Sequence, residues 1–191
     1  YCAAVVRAAF PLVEASQGRA FFLCTSLRAM RQVHELLLSE LSRAGLDLPL
    51  LLQGEQSKNE LLERFRRLGN AILIGSQSFW EGVDVRGQAL SLVVIDKLPF
   101  APPDDPVLSA RIDKLRREGR NPFLEYQLPR TVINVKQGAG RLIRDETDRG
   151  VLMICDPRMI GKHYGKRIWR SLPPMRRTRE LSEAVAFFTD Q

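Results

Sequence analysis

The stretch "GRAFFLCTSLRAMRQVHELLLSELSRAG", Gly18 to Gly45, joins two patterns of different period. Phe21 to Ser26 is a short, unbroken apolar run closed by hydroxyl residues. Such runs mark strands buried on both faces of a parallel sheet. From there apolar residues return at Met30, Val33, Leu37 and Leu41, the spacing of one helix face, and Gly45 supplies the stop. A buried strand feeding an amphipathic helix is the repeating unit of α/β folds, and the rest of the chain repeats it.

Outward from that unit, "PLLLQG" (49–54), "NAILIGS" (70–76), "ALSLVVID" (89–96) and "GVLMICD" (150–156) read as four more buried strands. "SKNELLERFRRLG" reads as a helix with Ser57 at its N-cap and Glu60 three residues on, a capping-box pattern. The first 17 residues read as a leading helix, and 179–191 as a C-terminal amphipathic helix. Residues 97–128 form a Pro-rich and helical insertion: "KLPFAPPDDP" is followed by a charged helix around 107–118. A further helix begins near Pro129. The expected fold is α/β, a parallel sheet of about five strands or more with helices on both faces.

The 191 residues fit one domain, and 45% apolar with 27% charged residues is an ordinary globular composition. No apolar run approaches the roughly 18 residues of a membrane span, so no membrane partner is expected. The chain opens at "YCAAVV" without methionine and is expected to be part of something longer. Cys2, Cys24 and Cys155 are far apart and odd in number, which argues against a disulfide framework and for a reducing, cytosolic setting. A net charge of +7 implies an anionic partner, nucleic acid first, although many basic domains bind none. Lys162, His163, Lys166, Arg167, Arg170, Arg176, Arg177 and Arg179 crowd one segment.

Ligands of such folds gather at the carboxyl ends of the strands. There Thr25 and Ser26 offer hydroxyls and amides suited to a phosphate, or Ser26 simply caps the helix. "SQSFWEGVDVRG" (76–87) places Glu81, Gly82 and Asp84 at a strand-to-loop corner. Gly82 permits close backbone approach and the acids could accept from ribose hydroxyls or an arginine. Phe79 and Trp80 are core or a stacking platform, with core the better reading for Phe79. In "QGAGRLIRDETDRG" (137–150), Arg141 and Arg144 are expected on one helix face, with Gln137 four residues before Arg141. Their planar forks suit multi-oxygen anions. A solvated charged face with Asp145 and Glu146 is the alternative. Against that alternative, Gly138 and Gly140 each cost a helix about 1 kcal/mol relative to alanine and suit close approach instead.

There is no GxxxxGK[ST] phosphate loop and no acidic pair ending an apolar strand. "DD" at 104–105 lies in a proline loop, His34 and His163 are isolated, and no metal-ligand spacing is evident. The chain has arginines for a γ-phosphate and nothing to hold the rest of a nucleotide.

Taken together, these strings resemble the second motor domain of superfamily 2 helicases. "QGAGRLIR" is similar to motif VI, "SFWEGVDVRG" to motif V and "GRAFFLCTSLRAM" to motif IV. The form "EGVD", the "LPFAPPDDP" insertion and the tail "DPRMIGKHYGKRIWRSLPPM" resemble the bacterial branch of the XPD/DinG family of iron–sulfur DNA helicases. The resemblance covers nearly the whole chain. It implies a RecA-like domain over 1–191, half of an ATP-dependent 5′→3′ DNA helicase of repair and replication in the bacterial cytoplasm. ATP and magnesium would be shared with the protein's own N-terminal motor domain, which would also carry the [4Fe–4S] cluster. This chain would hold no metal and no cluster, and would be inactive alone.

Carried over onto this chain, Arg144 becomes the arginine finger, Arg141 a second γ-phosphate contact and Gln137 a γ-phosphate sensor. Glu81, Gly82, Asp84 and Gly140 become nucleotide contacts. Thr25, Ser26, Arg28 and Ser78 become contacts to single-stranded DNA. Leu181, Ala184, Val185 and Phe188 form one apolar stripe at i, i+3, i+4 and i+7 of the tail helix. The stripe packs on its own domain or docks a partner. Relatives in the bacterial branch are associated with the chi subunit of the DNA polymerase III clamp loader. A protein-interaction domain is thus the competing reading, and a free-standing nucleic-acid-binding module a third.

Overall fold

In the computed structural model, the structure describes residues 1–76, 79, 90–101, 105–143 and 148–189. The described elements are α1 (Cys2–Ala15), β1 (Ala20–Cys24), α2 (Leu27–Ala44), β2 (Leu50–Leu52), α3 (Lys58–Leu68), β3 (Ile72–Ser76) and β4 (Leu92–Ile95). They continue with α4 (Pro106–Arg117), a π-helical turn (Phe123–Gln127), α5 (Leu128–Ala139), β5 (Val151–Ile154), α6 (Arg158–Gly161), α7 (Gly165–Ser171) and α8 (Leu181–Thr189).

All four described strand pairings are parallel, and the sheet order is β2-β3-β1-β4-β5. The expected α/β sheet with helices on both faces is therefore the observed one. Side chains alternate across it as the two-residue period of a strand demands. Phe21, Leu23, Leu73, Val93 and Ile95 join Leu61, Phe65, Leu128, Val135 and Ile168 on one face. Ala20, Phe22, Ile72, Ile74, Leu92 and Val94 join α1 and α2 residues on the other.

Local signals hold where they are strong. Ser57 accepts from the Glu60 amide and Glu60 accepts from the Ser57 amide, closing the capping box. Asp105 caps α4 by accepting from the Val107 and Leu108 amides. The chain passes from α1 to β1 through Gln17, Gly18 and Arg19, all at positive φ (53°, 75° and 46°). At Gly18 a Cβ would lie 2.1 Å from the Asn70 carbonyl oxygen, so only glycine fits there.

The chain runs from β1 toward the β2 edge and from β4 toward the β5 edge. The sheet's topological switch point therefore lies between β1 and β4, where such folds bind ligands at the carboxyl ends.

Candidate functional site

Two buried carboxylates organise the carboxyl edge at that switch point. Asp96, one residue past β4, is 3% exposed. Its carboxylate accepts from the Thr25 amide (3.0 Å), the Thr25 hydroxyl (3.4 Å) and the Lys97 amide (2.6 Å). Burial raises the Asp96 pKa despite these hydrogen bonds. Asp96 ties the end of β1 to the end of β4 and fixes the Thr25 backbone just before Ser26.

Asp156, two residues past β5, is 4% exposed and accepts from the Leu98 amide (2.8 Å) and the Arg158 amide (2.9 Å). The Arg158 guanidinium grips both its oxygens, with Nη2 2.6 Å from Oδ2. Burial works against the charged form, but these donors outweigh it and the Asp156 pKa is lowered. Arg158 in turn lies 5.0 Å over the Phe100 ring. Phe100 stacks on Phe123, and both meet Tyr164. The start of the 97–128 insertion is thus pinned to the segment that follows β5.

Neither aspartate stands out in the sequence as half of an acidic pair able to hold a metal. The signal available is a lone acid directly after a buried run, in "VVID" and "MICD". Such a lone acid is a backbone latch.

Ser26 caps α2: its hydroxyl accepts from the Ala29 amide at 3.1 Å. Ser26 and Arg28 are exposed at the start of α2, and Thr25 is half-buried beside them. Phe79 is core, 4% exposed, and packs against Gly75. Ser78, Trp80, Glu81, Gly82, Asp84 and Arg144 lie outside the described residues.

The expectation that Arg141 extends from a helix face is corrected. α5 ends at Ala139 with Gly140 as its C-cap (φ −67°, ψ −6°). The Arg141 amide donates back to the Gly138 carbonyl, so Arg141 and Leu142 lie in a turn. The turn that carries Arg141 also lies away from the carboxyl edge. Gly150 and Ser91 immediately precede β5 and β4, and a Cβ on Gly150 would lie 2.4 Å from Leu142 Cδ1 and 2.7 Å from the Ser91 carbonyl oxygen. The Arg141–Leu142 turn therefore sits at the amino end of the sheet. Strands of this length separate it from the Thr25–Asp96 corner by about 13–17 Å, at about 3.3 Å per residue. Gln137 is exposed in the last turn of α5, whereas Arg141 is half-buried and burial lowers its pKa.

In the tail, Ala184, Val185 and Phe188 pack against the α1–α2 side of the core, whereas Leu181 is 38% exposed. The stripe turns three of its four residues onto its own domain. Among the described residues, no group of three acidic, histidine or cysteine side chains could hold a metal ion, and no helix is long and apolar enough to cross a membrane. The three cysteines are free thiols.

The parallel sheet with helices on both faces agrees with what comparison with known proteins finds. Residues 9–175 match the model of the helicase C-terminal domain. The chain belongs to that family. This helicase domain is 56% identical over 177 residues to the ATP-dependent DNA helicase YoaA of Escherichia coli (strain K12), covering 93% of this chain and 27% of that protein. It is 40% identical over 175 residues to the ATP-dependent helicase DinG of Mycobacterium tuberculosis (strain ATCC 25618 / H37Rv), covering 92% and 26%. The structure of Xpd4 from S. tokodaii superposes with a TM-score of 0.62 at 17% identity, over 92% of this chain and 34% of that one, a likeness of fold. The XPD/DinG resemblance drawn from the motifs is thus the family found. The helicase domain spans about a quarter of the length of these curated relatives.

Proposed function

We propose that this chain is the second motor domain of an ATP-dependent DNA helicase that moves 5′→3′ along single-stranded DNA. One observation carries the reading: the arginine turn and the hydroxyl corner occupy opposite ends of one rigid sheet. A motor domain needs that division, because one end must face nucleotide and the other must face DNA. Arg141 and Arg144 then reach a γ-phosphate held by the protein's own N-terminal motor domain, with Gln137 beside them. Gly140 borders the nucleotide, as do Glu81, Gly82 and Asp84, which belong to the stretch of sequence that connects the carboxyl end of β3 to the amino end of β4. Thr25, Ser26, Arg28 and Ser78 meet the DNA backbone, with Asp96 fixing the peptide of Thr25.

The described residues include no carboxylate cluster fit for magnesium. The metal, the phosphate loop and an iron–sulfur cluster are assigned to the N-terminal half, and this chain alone is expected to be inactive. Guanidinium groups at a γ-phosphate act on charge that develops during the reaction. Nucleotide hydrolases that use an arginine finger gain about 10³–10⁵ in rate from it.

The test is ATP turnover by the full-length protein. Arg141→Ala or Arg144→Ala should abolish turnover and leave DNA affinity unchanged, and Arg28→Ala should weaken DNA binding. Near-normal turnover in both arginine variants would refute the assignment, as would turnover by residues 1–191 alone.

A second reading, docking to the clamp-loader subunit chi, draws on α8, none of whose residues is buried. On that reading Leu181 and the outer edges of Val185 and Phe188 meet the partner while Ala184 holds the helix to its own domain. Unchanged chi binding in a Leu181→Glu variant would count against it.

A further inference from the structure

We propose that the exposed face of α7 is a contact surface for the phosphate backbone of double-stranded DNA, separate from the hydroxyl corner at Thr25 and Ser26. The inference rests on the reading that the carboxyl end of the sheet faces DNA.

Between Asp156 and Glu180 the chain carries no Asp or Glu, yet it carries Arg158, Lys162, Lys166, Arg167, Arg170, Arg176, Arg177 and Arg179. Three of these are concentrated by α7. At 100° per residue, Lys166, Arg170 and Arg167 span a 100° arc. Ile168 and Gly165 lie on the opposite, buried side. The orientation is imposed by packing. Ile168 enters the core, and at Gly165 a Cβ would lie 2.1 Å from the Met159 carbonyl oxygen, so α7 is pressed directly onto α6. Lys166, Arg167 and Arg170 are all exposed, and none is in an ion pair with a described residue. α5, against which α7 packs, has no carboxylate either.

The charged helix α4 is built differently. There Lys114 pairs with Glu118 and Arg116 with Asp113, so each of these two cations is matched by a carboxylate. Like charges gathered on one short helix repel each other and are relieved by a polyanion that releases condensed counterions on binding.

The choice of duplex follows from the aromatic rings. Surfaces that hold single strands add stacking platforms to their charge. In this segment Tyr164 is engaged with Phe100 and Phe123, and Trp169 lies under the Arg177 guanidinium at 4.9 Å. What α7 offers is exposed cationic side chains without a free aromatic ring, which suits phosphates along a duplex and reads no bases.

The experiment uses the full-length protein and its K166Q/R167Q/R170Q variant, with a random-sequence duplex and a single strand of equal length. Binding is measured across a salt series, and K114Q/R116Q serves as the control. Every phosphate that is no longer neutralised lowers the magnitude of the duplex salt slope by about 0.9. The slope of the α7 variant on duplex should therefore fall by about 2.7, with its single-strand slope and DNA-stimulated ATP turnover unchanged. The control should keep the wild-type slope. An unchanged duplex slope overturns the proposal, and equal decreases on duplex and single strand overturn the choice of duplex. A loss confined to binding of anionic phosphatidylserine vesicles would reassign the surface to membranes. Absence of any DNA binding by the wild-type protein would instead remove the helicase reading on which the inference rests.

Discussion

Removing the Asp156 carboxylate should cost this domain more than removing the arginine that grips it. The carboxylate is 4% exposed, whereas the Arg158 side chain is 39% exposed. In Asp156→Ala the Leu98 amide, itself buried, is deprived of its 2.8 Å acceptor. An orphaned buried donor costs about 1–3 kcal/mol. The Arg158 guanidinium can rehydrate, so the end of its pairing adds no more than about 1 kcal/mol. The expected total is about 1–4 kcal/mol. Arg158→Ala leaves both backbone amides on the carboxylate and should cost about 1–2 kcal/mol, partly because the guanidinium no longer covers the Phe100 ring. Asp156→Asn keeps one acceptor for the Leu98 amide and should fall below the alanine variant. Urea unfolding at constant m-value measures all three. The reasoning is refuted if Asp156→Ala is within about 0.5 kcal/mol of wild type, the range of ordinary surface changes. It is refuted equally if Arg158→Ala costs more than Asp156→Ala.

Acid should act on the two latches with opposite sign. The lowered Asp156 pKa gives stability that is present above its unfolded pKa, about 3.9, and is lost as pH falls through the folded value. The raised Asp96 pKa gives stability that is full below about 3.9 and lost as pH rises through the folded value. Asp156→Asn should therefore remove part of the acid-induced loss seen in urea titrations at each pH, and Asp96→Asn should remove part of the loss on going from acid to neutral. Gly165→Ala should destabilise by at least the ~1–3 kcal/mol typical of overpacking, because the clash is with backbone that cannot rotate away. A neutral result in urea unfolding would contradict the packing of α7 on α6. Burial pushes the Cys155 thiol up to about 12. At about pH 8.5, where an unperturbed thiol is half ionised, its native thiolate fraction is lower by roughly 10³. Native alkylation by iodoacetamide should be slowed to a similar extent relative to the urea-unfolded chain, and equal rates would refute the burial of that sulfur.

The fold was readable because a strand buried on both faces shows as a continuous apolar run. "AFFLC", "ILIGS" and "LVVI" do, the half-buried edge strand "VLMI" does as well, and α2 and α3 carry their own caps and stops at Ser26, Gly45, Ser57 and Gly69. The end of α5 was harder to place. Leu128, Thr131, Val135, Ala139 and Leu142 keep helical spacing, and all five are buried. Periodicity therefore continues past the point where the backbone turns. Gly140 was the stop signal, but its neighbours Arg141 and Arg144 invited a reading as one helix face. The placement of Arg141 at the amino end of the sheet depends on Leu142 meeting Gly150 and Ser91, which local patterns do not encode. The aspartate latches were hidden for a related reason, since their partners at Thr25 and Leu98 are 71 and 58 residues away.

The two ends of the sheet differ in how they are held, and this bears on how such a domain can work. At the carboxyl edge Asp96 and Asp156 accept from backbone amides of other elements, and the Phe100–Phe123–Tyr164 cluster adds a second tie. The corner at Thr25 and the α7 face are thereby fixed in one rigid arrangement. At the amino end Arg141 sits in a turn just beyond a helix, anchored through Leu142. A charge placed after a helix stop can be drawn toward a neighbouring domain by small dihedral changes, whereas one inside a helix would have to carry the helix with it. On the proposed reading, the edge tied by Asp96 and Asp156 tracks DNA and the turn after α5 meets a transient phosphate. It predicts that stiffening the turn by Gly140→Ala, whose Cβ would lie 3.2 Å from the Lys136 carbonyl oxygen, should slow ATP turnover in the full-length protein while leaving its DNA affinity intact. Loss of DNA affinity with intact turnover would invert the assignment of the two ends.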